Sequence, residues 1–103
     1  MKNKENNNMA KLTLHDFVKT MDRDISEEVY AKLVALRMEY EVDKTTNFDP
    51  KFFELCYQTA LKTIKDMKLS KIQLVGCTLH QSQELEKIGF TRQHLLKLAG
   101  LNI

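Results

Sequence analysis

Three well-marked helix starts in the first half of this chain leave little room for anything but a helical fold. Thr13 stands where a cap is needed, with Asp16 at the capping-box position and Leu12 placed to staple onto Phe17. Leu14, Phe17, Val18 and Met21 then recur at i, i+3, i+4 and i+7, a single apolar stripe. Ser26 caps a second helix, and Glu27 and Glu28 follow where the helix dipole favours anions. Ile25 can staple onto Tyr30, while Val29, Leu33, Leu36 and Tyr40 line one face. Asp49-Pro50 opens a third helix, with proline at N1 and Phe48 set to staple onto Phe53. Its buried face is expected to carry Phe53, Cys56, Tyr57, Ala60, Ile64 and Met67.

The second half is less plainly marked. Ser70 with Gln73 makes a capping box and Leu69 with Leu74 a staple, which predicts a short helix. The β-branched run within residues 69–79 equally suits a strand ended by glycine. Such a strand has no partner in this chain other than a second copy, so the helix is preferred. Thr78 is then expected to cap a helix running to Ile88, Gly89 to end it, Thr91 to cap a last helix and Gly100 to stop that one. The expected fold is all-α, five to six short helices around one core.

At 103 residues the chain is sized for one domain with a modest core. We assign that domain to residues 11–103 and read the polar, Asn-rich residues 1–10 as a disordered leader, with Met9 an alternative start. No run approaches the length of a membrane span, and no secretory h-region opens the chain, so a cytoplasmic protein without a membrane partner is expected. Two cysteines, Cys56 and Cys77, do not make a disulfide framework. Charge is unevenly spread: residues 21–54 carry nine acids against five bases, and residues 61–103 seven bases against three acids. That asymmetry fits a polyanion-facing half or surfaces that pair between subunits, as well as plain solvated helix faces.

Catalytic and metal motifs are weak. Cys77-Thr78-Leu79-His80 is a lone C-x-x-H pair that Cys56 or His94 would have to complete, and neither metal nor cofactor is expected. A thiol–imidazole pair of Cys77 with His80 or His94 lacks an orienting third group. No P-loop, dinucleotide fingerprint, H-E-x-x-H or G-x-S-x-G occurs, so no enzyme activity is expected. The run Leu85-Glu86-Lys87-Ile88-Gly89-Phe90 resembles the close of an acetyltransferase. Such enzymes hold a pyrophosphate on glycine-rich main chain, and the three glycines here all follow residue 75, which sets that activity aside.

Residues 78–99 carry the strongest functional hint. A helix, the Gly89 turn and a second helix outline a helix-turn-helix. Thr91, Arg92, Gln93, His94 and Lys97 are the candidate DNA-binding residues: Arg suits guanine, Gln adenine, and Thr or Lys phosphate. Leu95 and Leu98 supply the inner face. Two features run against the pattern, the bulky Leu85 where the helices meet closely and Glu84 at a commonly apolar site. A small DNA-binding regulator is the leading expectation, working as a homodimer on two half-sites with the second and third helices as dimer candidates.

The alternative is a non-catalytic protein–protein adaptor or inhibitor, such as mobile genetic elements encode. Four aromatics, Phe48, Phe52, Phe53 and Tyr57, cluster at the third helix, and Asp49 and Glu54 beside them speak for core packing over a base-stacking platform. Phe52 lies off the main stripe, and its exposure would point to a protein partner.

Overall fold

The computed structural model describes residues 13–21, 24–43 and 49–98. The expected leader, the Leu12 and Phe48 staples and the Gly100 stop lie outside them. Five helices follow in order: α1 (Leu14–Lys19), α2 (Glu27–Asp43), α3 (Pro50–Met67), α4 (Lys71–Lys87) and α5 (Arg92–Leu98). No strand occurs among the described residues, and the all-α fold is as expected.

Each cap does the work its residue type suggests. Thr13 Oγ1 accepts from the Asp16 N–H and Ser26 Oγ from the Val29 N–H, satisfying first-turn donors of α1 and α2. Asp49 accepts from the Lys51 N–H ahead of Pro50, and its own N–H donates to Glu39 Oε2 at 3.0 Å. Glu39, only 2% exposed, thereby fixes the start of α3 against α2. α3 ends at Lys68 in the left-handed region, φ 53°, a conformation that costs any residue with a Cβ.

α2 is the central helix. Val29, Leu33 and Leu36 enter the main core with Leu14, Phe17 and Val18 of α1 and Leu74 and Leu85 of α4. Its other side carries Ala31, which meets Ala60 and Ile64 of α3 in a second cluster. The small alanine side chains let α3 pack on that side while α4 packs on the other, with α1 lying across α4. The stripe reading found only the first of these faces, because alanines contribute little to an apolar period. Met67, expected on the buried face of α3, is instead 53% exposed in its last turn.

α4 replaces two expected elements with one. The Ser70–Gln73 capping box forms in both directions and starts the helix, and a strand is thereby ruled out for these residues. Thr78 does not begin a new helix. It sits fully buried inside α4, its hydroxyl donating to the Leu74 carbonyl at 2.7 Å. Gly76 lies on the exposed side and does not break the helix, which runs on through it.

Candidate functional site

The α4–α5 corner forms as the sequence reading expects. Gly89 takes φ 108°, a conformation that favours glycine. The Phe90 N–H donates to the Leu85 carbonyl and the Gly89 N–H to that of Glu86, the paired bonds of a Schellman ending. Leu85 and Phe90 are buried together in the main core, so the bulky Leu85 is accommodated there. Glu84 turns outward and pairs with Lys87 at 3.2 Å.

The candidate DNA-binding residues fare differently from one another. Thr91 and Gln93 are exposed at the start of α5. Arg92 is half-buried, its guanidinium 5.1 Å from the centre of the Phe17 ring, a cation–π contact inside the fold. His94 Nδ1 accepts from the Thr91 N–H at 3.0 Å, and its ring meets Phe90 edge-on at 5.4 Å. Thr91 Oγ1 in turn accepts from the His94 N–H at 3.4 Å, so this pair acts as a capping box with histidine in the acidic residue's place. Lys97 belongs to α5, but its side chain, like that of Leu98, lies outside the described residues.

α1 is stitched to the same region. The His15 N–H donates to Glu86 Oε1 at 2.9 Å, and His15 Nδ1 lies 2.8 Å from Ser82 Oγ. Ser82 Oγ also lies 2.8 Å from the Leu79 carbonyl, so this serine bridges His15 and the α4 backbone. Ser82 is fully buried, which leaves this serine–histidine contact a structural tie without access to a substrate.

A second concave site lies between the end of α2 and the start of α3. Arg37, Met38, Val42, Phe52, Leu55 and Cys56 line a groove of about 450 Å³ whose surface is almost wholly apolar. Val42 and Leu55, 71% and 63% exposed, form its lips, while Phe52 is half-buried and Cys56 buried in the floor. Arg37 is held along α2 by Glu41 at 2.8 Å. Burial pushes the Cys56 thiol above its ordinary value, and the negative charge of Glu39 adds to the shift.

The sequence reading singled out Phe52 but missed Val42 and Leu55. The signal was there: Phe52, Leu55 and Thr59 recur at i, i+3 and i+7, a second stripe beside the buried one. Among the described residues no three histidine, cysteine or acidic side chains converge on a metal-sized site, and no helix is long and apolar enough to cross a membrane. No family model matches this chain, and no curated protein or solved structure is similar to it.

Proposed function

We propose that this protein is a protein-interaction module that docks an amphipathic helix of its partner in the α2–α3 groove. The carrying observation is the apolar trough itself, lined by Phe52 together with Val42 and Leu55, both largely in solvent. Exposed apolar side chains are ordinary when scattered, as Met67 and Ile72 are at the α3–α4 junction. A contiguous set lining a groove between two helices is the arrangement that accepts a third helix through i, i+3 or i+4 anchors.

Charge selects the occupant. Residues 39–54 carry five acids and two bases, and the last turn of α2 holds no basic residue to balance its dipole. The complementary helix therefore carries lysine or arginine beside its apolar stripe. A Leu/Lys amphipathic peptide, followed by fluorescence anisotropy, is the probe. It should bind more tightly than its Leu/Glu counterpart, weaken with salt, and lose affinity to Leu55→Glu protein. Equal binding of both peptides, or unchanged binding to Leu55→Glu protein, would overturn the proposal.

A second reading keeps duplex DNA as the partner, favoured by the Gly89 hairpin and the exposure of Thr91 and Gln93. It predicts retention of mixed-sequence duplex at low salt, with affinity falling steeply between two salt concentrations. Gln93→Ala should then weaken a preferred site far more than random DNA. No retention at low salt sinks it.

A further inference from the structure

Past the far end of α3 from the groove, the chain carries a helix of the kind that the groove is read to accept. Ile72, in the first turn of α4, is 85% exposed, and taken singly it calls for no explanation. It heads a stripe, however. Ile72, Val75, Gly76 and Leu79 recur at i, i+3, i+4 and i+7, a second side beside the buried one of Leu74, Thr78, Ser82 and Leu85. Val75 and Leu79 are half-buried, and Gly76 between them is exposed, with nothing within 4 Å of where a Cβ would project. No neighbour among the described residues calls for a glycine there, and on an outward helix face it lets another backbone come close.

Charge runs opposite at the two ends of α3. Residues 61–80 carry four bases, Lys62, Lys65, Lys68 and Lys71, against Asp66 alone, where residues 39–54 carry five acids against two bases. Lys71 is turned onto the Ile25 carbonyl at 2.6 Å, and Lys62, Lys65 and Lys68 stand in solvent. The dipoles match as well: α4 has no acid in its first turn, and the last turn of α2, beside the groove, has no base. Each end lacks the charge that the other supplies. We propose that the groove receives the first turns of α4 from a second copy of this chain, with Ile72 seated against Val42, Phe52 and Leu55. The proposal rests on the reading of the groove as a helix-docking site and names the helix. Phe52 and Met67, near the two ends of α3, are about 22 Å apart along its axis, so one copy does not fill its own groove. The contact therefore joins unlike surfaces of two copies.

Sedimentation equilibrium of the full chain reads its mass against concentration and salt. The unaltered chain should exceed the mass of one copy as its concentration rises toward about 1 mM, and should fall back in high salt. Leu55→Glu spoils the groove and Ile72→Glu the stripe, so each variant alone should associate at least about tenfold more weakly. An equal mixture of the two should regain association, because an intact groove then meets an intact α4. Both changes lie on the surface, and an acid suits the first turn of α4, so circular dichroism of both variants should match that of the unaltered chain. An unaltered chain that stays single, an Ile72→Glu variant that associates as before, or a mixture that remains apart would overturn the proposal. The Leu/Lys peptide separates this failure from that of the groove reading. Peptide bound by a chain that stays single overturns self-recognition and leaves the groove reading standing; peptide that parts associated copies supports both.

Discussion

The α4–α5 corner and the α2–α3 groove flank the same last turns of α2, and they use side chains in opposite ways. At the corner, polar residues that looked poised for an outside partner are drawn inward. Arg92 lies over Phe17, and His94 caps its own helix and packs on Phe90. At the groove, apolar residues are held outward: Val42 and Leu55 stand in solvent although Cys56, beside Leu55, is buried. Tyr40 meets Phe90 edge-on at 5.9 Å, so α2 presents one side to the corner and Met38 and Val42 to the groove. Residue type alone suggested an outward role for Arg92 and His94 and none for Val42 and Leu55. Which neighbours each side chain meets decides its role, and those neighbours come from other helices.

The largest effect expected from this contrast is on stability. Phe90→Ala should cost about 3–5 kcal/mol, since the ring is 2% exposed and its loss leaves a cavity. Leu55→Glu should stay within about 0.5 kcal/mol of the unaltered protein, as a surface change does. Urea denaturation followed by circular dichroism measures both, and equal costs would mean that Leu55 belongs to the core.

Gly76 and Gly89 sharpen the comparison at smaller scale. Gly89→Ala should destabilise by about 1–2 kcal/mol, because φ 108° is strained for a residue with a Cβ even where space is open. Gly76→Ala should stabilise by about 0.5–1 kcal/mol, since that position is helical and a Cβ there meets nothing within 4 Å. Thermal melts of the two variants should move in opposite directions. A gain for both would mean that the Gly89 corner relaxes.

Smaller again is an alkaline effect centred on the groove. Burial raises the pKa of Cys56, with Glu39 adding to it; burial also raises that of Tyr57, helped by Glu28 and Glu54. Groups held protonated in the fold contribute stability that is complete below their ordinary pKa and is lost as pH rises through the raised value. The melting temperature should therefore decline as pH passes from neutral into the range above about 9. Cys56, buried where Cys77 is half-buried, should also alkylate more slowly at neutral pH, and a peptide seated in the groove should slow it further. Alkylation of Cys56 unaffected by a bound peptide would move the docking site elsewhere.

Much of the fold was legible because its signals are local. Thr13, Ser26, Asp49-Pro50 and the Ser70–Gln73 box act within a turn of themselves, and Gly89 within its own ending. What escaped depends on contacts between helices. Ala31 is buried because α3 comes close there, which no period of large apolar residues announces. Thr78 reads as a cap in isolation, yet continuation of α4 turns its hydroxyl back onto Leu74. Val42 and Leu55 carry the residue types of a core and were not recognised as the edge of a groove.

The central claim is that the groove, and not the corner, receives the macromolecular partner. Its most direct test maps amide 15N–1H shifts on the full chain as the Leu/Lys helical peptide, and separately a mixed-sequence duplex, is added. The account predicts that the peptide moves the resonances of Val42, Phe52, Leu55 and Thr59 and leaves Gln93 in place, while the duplex moves none of these. Shifts at Thr91 and Gln93 on adding duplex, with the groove silent to peptide, would contradict it.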